Sequence, residues 1–555
     1  MIRKRAVRTL LGTALIPLLV AALPRAARAQ ADLGHLDDAT VAPRGRFRVQ
    51  ISSAWTRFDS RFAPADSTKR TIPLGAEYSF DSLGVVQLPA LAPTQSAISS
   101  LTGSPFHLTL GHTAAAADAR ISVTPISVEY GLTRRLTIGV MLPLVRTRTV
   151  ISLRVNPLGT EGNVGVNPAK VNRNALASDS MVVAQLVNAG ATLASTLQAC
   201  QANATANANC PTILQRQGDV TALLQSTSSF ATAFGAVYGT NTQSSGAPVV
   251  PVAGSAADQL IRTRLTSYDS SYQAFLNSGA LITAAPAAAG GVVGTQDLGT
   301  LLQNPAVAGF DSLKSTMMIS TGDVELSAKL QLFDDFTDSV KASRPGAFLA
   351  RATFTGTLRL PTGQLATPTN PLVIGTGLGT MAADGRLAWD VQTGGRVGLA
   401  AAAEYLLPFG KTKSGALPIG DGAPFPPSTS GIYPYTPGAV VRVEVAPRFM
   451  VASRLGVSAL YDFMHVAANT YASAAAGNLA GAVATLDGVT SAAGTQQAAG
   501  FALTYSTVPE YDRGKVTFPV DISFTHLEAL SGAARMAKYW RDQISVRFYF
   551  RRGAL

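Results

Sequence analysis

The sequence predicts an all-β chain, a transmembrane antiparallel β-barrel of about 14 strands with a largely helical insertion. Three observations carry this: an export signal, a series of alternating polar and apolar segments about ten residues long, and connections that alternate between short and long.

The chain opens MIRKRAVRTLLGTALIPLLVAALPRAARAQ. Arg3, Lys4, Arg5 and Arg8 precede an apolar run from Leu10 to Leu23, and Ala27-Arg28-Ala29 supplies a small-x-small cleavage pattern with the cut before Gln30. Residues 1–29 therefore read as a secretory signal peptide. The formal charge is +12, and six basic and no acidic residues lie in the signal, which leaves +6 for the mature chain. That excess is thinly spread with no basic block, so nucleic acid is not an expected partner. No later run reads as a spanning helix; the best, ALITAAPAAAGGVVG at 280–294, is interrupted by Pro286.

At 321–333, TGDVELSAKLQLF places Asp323, Glu325, Ser327, Lys329 and Gln331 on one phase and Val324, Leu326, Ala328, Leu330 and Leu332 on the other. The same period of two recurs at 347–360, 396–407, 440–449, 516–525 and 543–550. Weaker candidates are 45–58, 69–80, 105–113, 120–131, 135–155, 383–393, 455–467 and 498–508. In ISVTPISVEY the apolar phase shifts at Pro125-Ile126, which predicts a bulge. The domains that follow are first barrel strands in 30–155, an insertion in 156–318 and the remaining strands in 319–555.

Connections at 131–136, 392–396 and 452–456 are short. Those at 361–382, 408–437 and 468–497 are long and rich in Pro, Gly and Ser, the arrangement of an outer-membrane barrel with its long loops outside. The insertion 156–318 lacks alternation; MVVAQLVNAGATLASTLQAC and DQLIRTRLTSYDSSYQAFL have helical spacing. It either caps the barrel or enters it. Cys200 and Cys210 are expected to form a disulfide, as suits an oxidising compartment.

A soluble sandwich also alternates. Against it stand one long strand series that closure alone would leave without edges, the export signal, and an aromatic last strand, Phe548-Tyr549-Phe550. That strand resembles the C-terminal signature by which the barrel-assembly machinery takes its clients, although Arg551 to Leu555 runs past it. Outer-membrane lipid and the assembly machinery are thus expected partners, in a Gram-negative-type bacterium.

GDVELSAKLQL at 322–332, LRLPTG at 358–363 and VEYGLTRRLTIGVMLPLV at 128–145 resemble the outer-membrane family described as meta-pathway phenol-degradation proteins, which is related to long-chain fatty-acid transporter-type barrels. The likeness covers most of 105–155 and 320–550 but not the insertion. It implies uptake of hydrophobic or aromatic compounds.

Catalytic motifs are not evident. His35, His107, His112, His465 and His526 form no HExxH, and no GxSxG elbow occurs. His112 and His526 would be the suspects in a hydrolase. No catalytic residue, metal site or cofactor is expected. The charged inner phase is the candidate site: Asp323, Glu325, Lys329, Arg351, Arg359, Arg396, Glu404, Arg442, Glu444, Arg448 and Arg547. These residues either line a water-filled pore, with a transverse field between opposite signs, or pair with each other inside a blocked barrel. The expected function is an outer-membrane channel or transporter passing small, hydrophobic or aromatic molecules by passive diffusion. The alternative is a structural barrel that displays the 156–318 insertion without transport.

Overall fold

Twelve antiparallel strands, each hydrogen-bonded to its neighbours in sequence, close into a ring in the computed structural model. Residues 39–551 are described, apart from 64–70, 160, 305–306, 309–312, 343, 345, 366–371, 394–395, 417–429, 472–492, 513 and 534–535. The expected signal peptide, part of the loop at 408–437, most of the loop at 468–497, and the tail 552–555 lie outside the described residues.

The ring runs β1 (Arg46–Phe62), β2 (Thr109–Gly131), β3 (Leu136–Val155), β4 (Glu325–Asp334), β5 (Phe348–Arg359) and β6 (Ala382–Thr393), then β7 (Val397–Pro408), β8 (Val440–Met450), β9 (Leu455–Val466), β10 (Gly494–Ser506), β11 (Val520–Gly532) and β12 (Ala537–Arg551). It closes where β1 pairs with both β12 and β2: Phe47 faces Phe550 on one side and Tyr130 on the other. Closure leaves no strand of the ring with a free edge, as a hydrocarbon environment demands.

Twelve strands rather than fourteen follow from two segments. The candidates 105–113 and 120–131 are one strand, joined through Ala114–Ala119, where alanine on both phases erased the alternation. The candidate 69–80 leaves the ring: Thr71–Pro73 pairs only with the end of β1, and Phe80–Gly84 with the end of β2. The remaining eleven candidates, with the merged strand, are the twelve barrel strands. Near Gly322 the segment 321–333 breaks: Thr316–Thr321 pairs with Leu144–Thr149 of β3, and β4 begins at Glu325.

The bulge expected at Pro125 is absent. Pairing with β3 passes through Pro125–Pro143 and Ile126–Leu142 without a shift. The apolar phase changes there for another reason. Ile126 and Val128 lie on the outer face, whereas Ile121 and Val123 point inward and pack with Val145 and Ile374. The strand crosses a boundary between two surroundings, and the hydrophobic pattern follows the surroundings.

That boundary is visible on the outer face. In β3, Ile138, Val140, Leu142 and Leu144 are exposed, and the next outward residues are Arg146 and Arg148. Leu326, Leu330, Leu332, Leu399, Leu407, Val441, Val443, Tyr461, Phe501, Leu503, Ile522 and Ile544 continue the apolar band around the ring, each with more than a third of its surface exposed. Such a belt far exceeds the apolar patch of a soluble monomer, and lipid is the solvent that fits it. This answers the alternation of β4: Leu326, Leu330 and Leu332 face lipid, while Lys329 and Gln331 are buried inside.

β2 and β3 are long, with 23 and 20 residues, and carry a helical unit beyond the ring. It comprises α1 (Ala92–Thr102), α2 (Arg173–Ala202), α3 (Cys210–Gln215), α4 (Gln217–Tyr238), α5 (Ala256–Leu276) and α6 (Thr295–Gln303). Asn172 and Ser255 cap α2 and α5 through their side chains. Val182, Leu186, Phe230, Phe234 and Ile261 form a core that continues onto Leu108, Leu110 and Val155 at the strand ends. By length and composition α2 could cross a membrane, a property missed in the sequence reading; here its apolar stripe packs on α4 and α5. The Cys200–Cys210 disulfide joins the end of α2 to the start of α3.

Candidate functional site in the barrel interior

Alternation sends every second residue of each strand inward, so twelve strands bring distant charges together. On β6 to β9 they form a continuous ladder. Arg386 reaches Glu404 at 3.1 Å and Glu444 at 2.5 Å. Arg442 lies 3.2 Å from Glu444 and holds Asp462 at 2.8 and 3.0 Å through Nε and Nη2. Toward the short-turn rim, Arg351 Nε donates to Asp390 at 2.7 Å and its guanidinium stacks 4.7 Å from the Phe336 ring. At the opposite rim Arg359 pairs with Glu325 at 2.8 Å. On the closing strands, Arg48 Nε donates to Glu129 at 2.6 Å and Arg547 Nε to Gln50 at 3.1 Å.

These ion pairs run along the wall, between adjacent strands. Arg351, Arg359 and Arg442 bond to neighbouring strands, because register partners lie about 5 Å apart. Ions paired within one wall are held where water is scarce, since Arg442 and Lys329 are only 2% and 3% exposed. Arg448 borders a small cavity at the short-turn rim with Phe336, Arg351, Asp390, Gln392 and Arg396. Arg396 is exposed there, at the turn rather than on the inner wall.

Asp323 has a different place. It precedes β4, and its carboxylate accepts the backbone N–H groups of Gly363 at 2.9 Å and Leu378 at 2.7 Å. Gly363 and Gly377 approach so closely that a side chain on Gly377 would meet Gly363 and Asp323. The connection after β5 is thereby strapped inward. Thr147 donates to the Ile374 carbonyl at 2.8 Å, and Ile374 covers the inward apolar residues Ala119, Ile121, Val123 and Val145.

Two further groups fill the interior. Phe62 packs inward with Leu460, Ala498, Ala502, Leu527 and Tyr539. At the other rim the chain before β1 crosses the interior: Ala39 N–H donates to Asp390 at 3.2 Å, Gln331 donates to the Ala39 carbonyl at 3.2 Å, and Ala42 N–H donates to Thr137 at 2.8 Å. Ala39 itself is fully buried against Ala388 and Ala402.

Sequence reasoning missed Arg48, Glu129, Arg386, Asp390, Asp462 and Arg541. The first five lie on the inner phase of segments whose alternation was weak, Arg541 lies just before the segment 543–550, and phase bookkeeping once the neighbours were aligned could have found them. His526 bonds Asp542 at 2.7 Å on the outer face, and among the described residues neither its ring nor that of His112 is hydrogen-bonded to a Ser, Thr or Cys.

Ring closure, the lipid-facing belt and the charged interior define a transmembrane β-barrel of the outer-membrane class. No protein-family model matches the chain, and no curated protein does. Similar solved structures include an outer membrane channel from Pseudomonas putida F1, with 9% identity, 94% of this chain and 100% of that one covered, and a TM-score of 0.40. A Pseudomonas aeruginosa FadL homologue aligns over 91% of this chain and 90% of its own at 9% identity and a TM-score of 0.28. The Ralstonia pickettii toluene transporter TbuX aligns over 93% and 92% at 7% identity and a TM-score of 0.24. The barrel assignment rests on this chain's own strand order and register.

Proposed function

We propose that the chain is an outer-membrane channel for small hydrophobic or aromatic molecules. The observation that carries this reading is the division of the interior. Strands β2 and β3 present an apolar inner wall of Ala119, Ile121, Val123 and Val145, and strands β6 to β9 present the ion-pair ladder. An apolar solute can slide on the first wall, while the second pairs its charges within the wall, which weakens its pull on ions.

Passage requires movement, because the inner side chains are almost wholly buried in this conformation. The obstructions are the segment at Ala39–Ala42, Phe62, and the strap carrying Ile374. The helical unit forms its core beyond the strand ends, so we read it as a cap. The residues Glu325, Lys329, Arg351, Arg359, Glu404, Arg442, Glu444, Arg448 and Arg547 then line the path, with Asp323 as the strap's anchor and Arg396 at its mouth. The aromatic end of β12 is read as the assembly signal; Phe548 and Phe550 face outward beside Phe518.

The second reading, a barrel that displays the helical unit without transport, draws on the filled interior. Planar-bilayer recording and aromatic-solute uptake by liposomes separate them. The channel reading expects rare openings in the wild type and more frequent ones when Phe62→Ala is combined with Ile374→Ala. Silence and no uptake in both proteins would establish the display reading instead.

A further inference from the structure

On the outer face, at the rim that bears the long connections, the apolar belt of β12 and β1 to β3 ends within one row of residues, with Ile319 and Met317 standing outward beside Arg146 and Arg148 on the flanking segment Thr316–Thr321. Ile544, Ser53, Thr124 and Leu144 sit side by side on β12, β1, β2 and β3; the next outward row is Asp542, Trp55, Ser122 and Arg146. The row after that is Trp540, Arg57, Arg120 and Arg148. Three arginines thus occupy directly opposed positions on three adjoining strands. Like charges placed so oppose sheet formation unless an anion neutralises them.

The protein supplies too little negative charge. Asp118 alone serves two of the three, at 2.9 Å from Arg120 and 3.6 Å from Arg57. Both guanidinium side chains remain about half exposed, at 50% and 48%. Arg148 has no carboxylate partner among the described residues, and Arg146 reaches only the Met317 sulfur, at 3.4 Å. Arg154 adds another exposed cation further along β3, and Asp59 is a further carboxylate on β1. Next to the row, Asp542 is engaged by His526 and Glu528 lies beyond Trp540.

We propose that this row binds the phosphate groups of a phosphorylated glycolipid in the outer leaflet, with acyl chains against the belt below. The placement fits that ligand in two ways. The arginines begin where the lipid-facing residues stop, which is the depth of a headgroup phosphate, and Trp55 and Trp540, 42% and 41% exposed, flank them as interfacial anchors do. Guanidinium forks suit phosphate oxygens better than a point charge would. The inference rests on the outer-membrane reading with the long connections outside.

The test uses the full chain in nanodiscs, with binding and thermal stability measured for diphosphorylated lipid A, dephosphorylated lipid A and inorganic phosphate. Diphosphorylated lipid A is expected to bind and raise Tm, and the other two to do neither. Arg57→Gln/Arg120→Gln/Arg148→Gln should weaken that binding about tenfold or more, since each substitution removes a charge-assisted bond to phosphate. Arg134→Gln/Arg135→Gln, at the opposite rim, should leave it unchanged. Equal binding by the triple variant overturns the proposal, as does equal stabilisation by inorganic phosphate or by dephosphorylated lipid A. Loss of binding in the Arg134/Arg135 variant overturns the orientation. Channel activity is read separately in phospholipid bilayers, so failure here leaves the transport reading standing on its own test.

Discussion

Replacing Arg442 by Gln should unfold the barrel more easily than any single loss from its outer face. Arg442 is 2% exposed and touches both Asp462 and Glu444. With Arg386 and Glu404 these residues form a set of two cations and three carboxylates. The substitution leaves one guanidinium to serve three buried carboxylates. Breaking a buried pair in this way costs about 3–5 kcal/mol, most of it the penalty of the stranded charge. Adding Asp462→Asn removes that charge and restores the set's original balance. The double variant should therefore be more stable than Arg442→Gln alone, with a coupling energy of about 2 kcal/mol. Urea unfolding of the refolded barrel, followed by tryptophan fluorescence and by heat-modified gel mobility, measures both. Additive effects, or an Arg442→Gln barrel as stable as wild type, would refute the ladder as a coupled unit.

Other consequences follow from the cap and the strap. Burial pushes the Asp179 carboxyl in α2 up to about 7, against the opposing bond from the Ala287 N–H. The folded unit then holds a proton that the unfolded chain releases near pH 4, so stability is greatest at low pH and falls as pH rises from about 4 to 7. The shift corresponds to a loss of up to about 4 kcal/mol; denaturation followed by helical circular dichroism should show it, and Asp179→Asn should flatten it. Reduction of Cys200–Cys210, which lie 10 residues apart, should cost the cap about 3 kcal/mol on loop-closure grounds, without changing barrel mobility on gels. Gly377→Ala forces Asp323 and Gly363 apart, so single-channel recording should show more frequent openings than in wild type.

Much of the architecture was already legible in local pattern. Period-two alternation is a property of neighbouring residues, and it marked all twelve barrel strands and separated Leu326 and Leu330 from Lys329 and Gln331. Helical spacing marked the insertion, and the cysteine spacing marked its disulfide. Alternation failed where alanine sat on both phases, at Ala114–Ala119, and misled at Pro125. There the apolar residues changed faces because their surroundings changed from strap to lipid, and a strand pattern read alone cannot tell a bulge from a boundary.

The charges divide in the same way. Sequence alone placed Glu325, Arg351, Arg442 and Glu444 on an inner face, because side-chain direction depends only on phase. Which charges meet depends on strand order and register, so Asp390 and Asp462 became partners only when β6 and β9 took their places in the ring. The same holds for the row of Arg57, Arg120 and Arg148, whose members are separated along the chain by 63 and 28 residues. Local pattern determined that a barrel forms and which way each residue points. Tertiary register decided what each residue faces, because electrostatic partnership requires approach within a few ångströms and the chain brings that about only by closing.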